Sequence, residues 1–130
     1  MSLLDFNLEN VTELSTVPEG EYAIRVVNCE LKTSQKTGGN YLNVRLELAD
    51  EADSKNITHI IMLPADGDDD KRRNNRLRAV KMFYEAFDVD YTKGVETEDL
   101  VGLTGWAIVV EEESDEYGTQ NRVRRFVQGK

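Results

Sequence analysis

At 130 residues, the chain is long enough for one domain with a working core and too short for two domains of ordinary size. Its formal net charge of −9 argues against a polyanionic partner for the surface as a whole, because phosphate binding draws on Lys and Arg. A single cysteine excludes an intrachain disulfide, and a single histidine leaves no Cys/His cluster for zinc, so we expect no metal and no cofactor.

The charge is distributed unevenly along the chain. Residues 1–21 hold five acids and no base, and residues 111–116 hold five more acids. The rest of the chain therefore carries 15 of the 25 acids against all 16 bases, so a local basic face is compatible with the overall acidity. No apolar run approaches the roughly 18 residues of a membrane span, and the first residues lack the basic-then-apolar layout of a secretory signal. We therefore expect a cytoplasmic protein without a membrane partner.

The first part of the chain predicts an arm followed by two strands. Residues 1–20 are acidic and partly apolar, and we expect them to pack as an arm against a domain formed by residues 21–130. Residues 22–31 favour a strand with apolar side chains on both sides and with Cys29 in the core. Residues 41–48 show the clearest period-two pattern, in which alternate residues share a face. Leucine and valine occupy its core side, whereas its outward side carries Tyr41, Asn43, Arg45 and Glu47.

A basic loop and a third strand surround this pattern. Residues 32–40 are polar and glycine-bearing, which predicts a flexible loop that carries the cations Lys32 and Lys36. Residues 57–63 are rich in β-branched side chains and predict a strand. We expect its core side to hold Ile57, Ile61 and Leu63, and its outward side to hold Thr58, Ile60 and Met62. The opposite phase, with Ile60 and Met62 buried, is the alternative, and His59 is expected to be a hydrogen-bonded strand residue.

A basic amphipathic helix is predicted at residues 71–87. The aspartates that precede it can cap its first turn and oppose the positive end of the helix dipole. Its apolar stripe consists of Leu77, Val80, Phe83, Tyr84 and Phe87. Its bases are Lys71, Arg72, Arg73, Arg76, Arg78 and Lys81. We expect these bases to form a solvated surface with intrahelical pairs, and the rival hypothesis is a recognition helix in a duplex groove.

Two further strands are predicted after a polar connection and a short turn at residues 98–102. Residues 106–110 form the fourth strand, in which Trp106 is expected in the core, with base stacking as the alternative. Residues 111–119 predict a long hairpin loop of solvated acids, because they lack the spacing of a calcium loop. Residues 120–127 form the fifth strand, with Val123 and Val127 on one side and Arg122, Arg124 and Phe126 on the other.

The order β-β-β-α-β-β is the connectivity of the five-stranded OB barrel, a fold that holds nucleic-acid strands or oligosaccharides on one sheet face. We therefore predict an all-β protein with one helix, closed into an OB-fold barrel. Single-stranded nucleic acid needs flat or soft side chains under its bases and cations along its backbone. The residues that meet this need are Lys32, Lys36, Tyr41, Asn43, Arg45, Lys55, Ile60, Met62, Arg122, Arg124 and Phe126. No phosphate-cradling loop or nucleophile motif is present, so no catalytic residue and no enzyme is predicted.

Several short motifs are similar to those of a family of small bacteriophage proteins, regarded as OB-fold single-stranded DNA-binding proteins and often known only as a domain of unknown function. The motifs lie at residues 17–22, 39–42, 100–102 and 121–126, together with the helix that carries Leu77 and Phe83. The resemblance implies sequence-tolerant binding of single-stranded DNA during phage replication or recombination. It implies Tyr41, Arg45, Arg122 and Arg124 as groove residues, phage or host replication proteins as partners, and the host cytoplasm as location. The sequence leaves open whether the protein forms a homo-oligomer.

A protein-interaction module is the alternative from another class. An acidic adaptor, or a DNA mimic that occupies a basic surface, would use the net charge of −9 without binding nucleic acid. Such a mimic would show dispersed carboxylates and no continuous basic groove. A hydrolytic enzyme would need a convergent acid/base or metal site, which these residues do not assemble.

Overall fold

The computed structural model describes residues 3–128. In chain order the elements are β1 (Gly20–Thr33), β2 (Asn40–Leu48), β3 (Ile57–Met62), α1 (Asp70–Ala86), α2 (Thr97–Leu100), β4 (Thr104–Ser114) and β5 (Gly118–Val127). The predicted order of three strands, a helix and two strands is confirmed, and the predicted turn near residue 100 contains the short helix α2. The first two residues of the predicted arm and the last two of the predicted domain lie outside the described residues. The division into arm and domain stays a prediction.

The five strands form one antiparallel sheet in the order β3-β2-β1-β4-β5. The sheet curls enough to bring Cα atoms of the edge strands β3 and β5 within 8 Å of each other, but in residues 3–128 these strands share no ladder. The predicted closed barrel is therefore wrong, and the sheet is open. The rings of His59 and Phe126 meet edge to face at this seam, with centroids 5.1 Å apart. Side chains thus fill a gap that hydrogen-bonded strands would close to about 4.8 Å.

The core lies between the inward side of the sheet and α1. The leucine and valine side of β2 is buried, as its alternation predicts, and Cys29 of β1 is buried as well. Burial raises the pKa of the Cys29 thiol, so the thiol is protonated and weakly nucleophilic at neutral pH. Trp106, expected in the core, is half-buried on β4 and lies outside the buried cluster.

Helix α1 begins at an aspartate cap and presents its aromatic residues to the sheet. The Asp69 carboxylate accepts a hydrogen bond from the backbone N–H of Arg72 at 2.7 Å, which is the predicted capping role. Phe83 and Phe87 are buried, whereas Leu77 is 46% exposed. Leu77 is wrong as a core residue because six residues at 100° each place it about 120° around the helix from Phe83.

The end of α1 packs directly against β4. A Cβ atom at Gly105 would lie 2.8 Å from the carbonyl oxygen of Ala86 and 3.2 Å from the ring of Phe87. Side chains do not fit at such distances, so glycine at this position allows the helix and the strand to make contact. This contact fixes the helix against the sheet at its C-terminal end.

A bulge in β5 reverses the predicted orientation of Phe126. The register pairs Ile108 with Arg125 and Val109 with Val123, so Arg124 is an extra residue that has no residue opposite it on β4. Because one inserted residue shifts the alternation, Val123 and Phe126 both face the core. The prediction that Phe126 faces outward is wrong, since the residue is 8% exposed and its ring packs among core aromatic rings.

The hairpin between β4 and β5 is shorter than predicted. Residues 111–113, expected in a long loop, belong to β4 and pair with residues 119–121. The connection is a turn at residues 115–117, and Gly118 follows it with φ +70°, a value that favours glycine. The predicted long acidic loop is therefore wrong: Glu111, Glu112 and Glu113 project from β4, and Asp115 and Glu116 lie in the turn.

The N-terminal segment is attached to the sheet only near its end. Residues 3–14 have no regular structure and are exposed, so their predicted packing against the domain is wrong. The attachment begins at Ser15, whose backbone N–H donates to the carbonyl of Asp53 and whose carbonyl accepts from the N–H of Lys55, both at 2.9 Å. Val17 follows as a buried residue. The arm therefore leaves the folded body at about residue 15.

Candidate nucleic-acid interface

The outward sides of β1, β2 and β3 form one continuous surface. Register places Lys32 beside Tyr41 and Tyr41 beside Met62, and it places Asn43 beside Ile60 in the next row. Arg45 follows beside Thr58. We call this surface the strand face and define it as Lys32, Tyr41, Asn43, Arg45, Thr58, Ile60 and Met62. It brings together six of the residues predicted to bind nucleic acid.

The phase of β3 agrees with the outward prediction. Ile57 and Ile61 are buried at 0% and 2%, whereas Ile60 is 46% exposed and Met62 is half-buried. The alternative phase, in which Ile60 and Met62 belong to the core, is wrong. Two apolar side chains are thus available on the outer surface, next to Tyr41.

The strand face carries cations that are weakly paired or unpaired. Lys32 lies 4.0 Å from the carboxylate of Glu30, a long contact between exposed groups. Arg45 is exposed and forms no ion pair with any residue in the described range. Exposed pairs of this kind contribute about 1 kcal/mol or less, so both cations can exchange partners at little cost.

A cleft of about 670 Å³ separates β2 and β3 from the β4–β5 hairpin. Its walls bring Arg45 and Thr58 of the strand face opposite Arg122 and Glu112 of the hairpin. The Nε atom of Arg122 lies 2.9 Å from the Glu112 carboxylate, and both side chains are more than half exposed. Because an exposed pair is weak, an anionic ligand in the cleft can compete with Glu112 for Arg122.

Tyr117 is a candidate residue that the sequence reasoning missed. It belongs to the hairpin turn, lines the cleft and is 67% exposed. Its signal in the sequence was the aromatic residue next to Gly118, in a turn rich in acids. An exposed aromatic ring at the mouth of a cleft with two arginines can stack on a planar ligand.

The remaining predicted residues lie elsewhere. Lys36 is exposed in the loop between β1 and β2, beyond the end of the strand face that carries Tyr41. Lys55 is half-buried and donates to the carbonyl of Thr119 at 3.4 Å. Arg124 lies 3.5 Å from the Glu19 carboxylate and does not line the cleft. Phe126 lies in the core, as described above.

His59 is half-buried on β3 with its ring against Phe126, and this environment lowers the proton affinity of its imidazole. Burial lowers the pKa of its imidazole below the ordinary value. The neutral form is therefore the one that the fold accommodates, while the unfolded chain binds a proton at about pH 6.5.

We expect the free energy of unfolding to fall as the pH drops below about 6.5, because the unfolded state then binds more protons than the folded state at His59. Replacing His59 by phenylalanine removes this proton uptake. Urea unfolding at several pH values between about 7 and 5 measures both proteins, and the difference between them isolates His59 from the carboxylates. Parallel curves for the two proteins would contradict the prediction.

The fold and the strand face define a mostly β protein with one main helix and an exposed sheet surface that mixes basic, aromatic and apolar side chains. Residues 4–124 match DUF669, a family described as proteins of unknown function, and the chain belongs to this family. No curated protein matches the chain. Across residues 3–128, no helix is long and apolar enough to cross a membrane. In the same range, no group of three or more His, Cys, Asp or Glu side chains could hold a metal ion.

Proposed function

We propose that the protein binds single-stranded DNA on the strand face and in the adjoining cleft, without strong preference for sequence. The observation that carries this proposal is the strand register. It supports a continuous surface in which Tyr41, Ile60 and Met62 offer contacts for bases, while Lys32 and Arg45 offer charges for phosphates. Stacking and backbone neutralisation tolerate any base, because every base has a π-face and every nucleotide has a phosphate.

The cleft extends the same chemistry to a second wall. Arg45 and Arg122 face a shared volume in which a phosphate could sit between them, and Tyr117 stands at its rim. As a bulk effect, the net charge of −9 disfavours duplex DNA and single strands alike. Local cations beside an aromatic ring are the arrangement typical of single-strand binding surfaces.

We further propose that the sheet is an opened version of the OB fold. The element order and the approach of the edge strands β3 and β5 support this view, although the barrel is not closed. A role in phage replication or recombination, with replication proteins as partners, is proposed on the motif resemblance described in the sequence analysis.

An acidic protein-interaction adaptor or DNA mimic is the second candidate. The observation that favours it is the arm, in which six large apolar side chains between Leu3 and Leu14 are more than half exposed beside Asp5, Glu9 and Glu13. Glu112 also offsets the charge of Arg122 in the cleft. This candidate predicts no binding of a single strand at any salt concentration.

Replacing Tyr41 by alanine should weaken binding of a labelled oligo-dT by about 1 to 3 kcal/mol, the usual contribution of one stacked base. Fluorescence anisotropy at low ionic strength measures the affinity. Tyr91→Ala is the matched control, because Tyr91 is also partly exposed but belongs to the connection after α1, where its ring packs on Tyr84. The control should bind like the parent protein.

Two outcomes would reject the proposed function. The first is failure of the unmodified protein to bind oligo-dT at low ionic strength, which would leave the adaptor as the better hypothesis. The second is equal loss of affinity in Tyr41→Ala and Tyr91→Ala, which would show that binding does not depend on the strand face. Duplex DNA of the same length serves as the competitor that tests preference for single strands.

A further inference from the structure

A second depression lies further along β3 than the cleft, between this strand and α1. Its volume is about 620 Å³. One wall is formed by Ile60 and Met62, which also belong to the strand face. The other wall is the first part of α1, with Lys71, Arg72 and Arg76 among its residues. We call this depression the helix groove.

Two of the acids next to the helix groove, Asp68 and Asp69, are already engaged. The carboxylate of Asp68 lies 3.0 Å from Arg76 and also accepts a hydrogen bond from the N–H of Ala65 at 2.9 Å. The carboxylate of Asp69 caps the helix by accepting from the N–H of Arg72. These contacts neutralise the charge of Arg76 and hold both acids in place.

Lys71 and Arg72 are the two cations that this arrangement leaves available. Both side chains are exposed, and neither forms an ion pair within residues 3–128. Bases in the first turn of a helix face the positive end of its dipole, which is unfavourable for helix stability. Helix stability therefore does not explain why Lys71 and Arg72 occupy this turn. Binding of an anionic ligand in the groove does explain it.

Strand β3 connects the cleft to the helix groove. Thr58 lines the cleft, and Ile60 and Met62 line the groove. All three side chains share the outward face, since alternate residues of a strand point the same way. At about 3.3 Å per residue, the distance from Thr58 to Met62 is about 13 Å. The cleft, the strand face and the groove are thus consecutive parts of one surface.

We infer that a bound single strand continues from the cleft across β3 into the helix groove, where Lys71 and Arg72 neutralise its phosphates. This inference rests on the proposed function and adds α1 to the binding surface. Ile60 and Met62 then provide apolar contacts for bases at the point where the strand passes from sheet to helix. The acidic residues of the hairpin lie at the other end of the path, near Arg122.

The double substitution Lys71→Gln/Arg72→Gln tests the inference. The ligand is a labelled oligo-dT of about 16 nucleotides, the upper end of site sizes for one OB fold. Loss of two phosphate contacts should raise Kd about 25-fold at 0.1 M salt and reduce the slope of log K against log salt by about 1.4, according to counterion release from a single strand. Glutamine is a good helix former, so we expect the helix to be retained, and circular dichroism checks this.

Arg73→Gln/Lys81→Gln is the matched control, because it removes two charges from the same helix at positions that do not line the groove. It should change Kd less than threefold and leave the salt slope unchanged. Equal effects of the two double substitutions, or unchanged binding by Lys71→Gln/Arg72→Gln, would overturn the inference while Tyr41→Ala still reports on the proposed function. Failure of the unmodified protein to bind would instead overturn the proposed function.

Discussion

Replacing Phe83 by alanine is expected to lower the free energy of unfolding by about 3 to 5 kcal/mol, the usual cost of removing a buried phenyl ring. Phe83 is 0% exposed and is the one fully enclosed side chain that α1 contributes in the described part of the chain. Its ring lies 5.1 Å from that of Phe87 and 5.6 Å from that of Phe126. The cavity left behind would lie between α1 and the sheet.

Leu77→Ala on the same helix is the control for Phe83→Ala. Because Leu77 is 46% exposed, its truncation should cost no more than about 1 kcal/mol. Urea unfolding followed by the fluorescence of Trp106, the single tryptophan, measures both variants. Similar losses in the two variants would show that α1 does not close the core in solution.

Asn121→Ala is the second substitution with a large expected effect, about 3 kcal/mol, because three hydrogen bonds worth about 1 kcal/mol each are lost. The side-chain oxygen of Asn121 accepts from the N–H of Val17 at 2.9 Å. Its amide group donates to the carbonyls of Val17 and Val110 at 2.9 and 3.2 Å. Asn121 is 7% exposed, so water cannot readily replace these contacts.

The effect of Asn121→Ala should be localised as well as large. Hydrogen exchange at the Val17 amide should accelerate, since this amide loses its partner at the point where the arm joins the sheet. Asn10→Ala makes the same chemical change in the exposed arm and should leave stability and exchange unaltered. An unchanged Val17 amide in Asn121→Ala would mean that other contacts hold the arm.

The strand faces could be predicted where one strand obeys strict alternation. In β2, a period of two places every leucine and valine inward and Tyr41, Asn43 and Arg45 outward, and the structure agrees. In β5 the same rule failed at Phe126, because the bulge at Arg124 depends on the register with β4, which a single strand does not encode. The exposed Leu77 shows the same limit for a helix, whose buried side depends on what it packs against.

Half of the candidate interface followed from local pattern, and half needed the tertiary structure. Alternation in β2 was sufficient to place Tyr41 outward, whereas in β3 it left both phases open, and burial and register were needed to place Ile60 on the same surface. The meeting of Arg45 with Arg122 depends on the curl of the sheet, which brings a distant hairpin across the cleft. The role of the helix bases required the position of α1 beside β3, since in sequence they resemble an ordinary solvated helix face.

The bulge in β5 also has a consequence at the level of the gene. Arg124 has no partner on β4, so an in-frame loss of its codon would keep the existing pairing on both sides and leave Val123 and Phe126 inward. Loss of the neighbouring codon for Val123 would instead put an arginine into the buried position opposite Val109. The codons of Arg124 and Arg125 are thus the place within β5 where the gene can lose one triplet without exchanging the inner and outer faces of the strand.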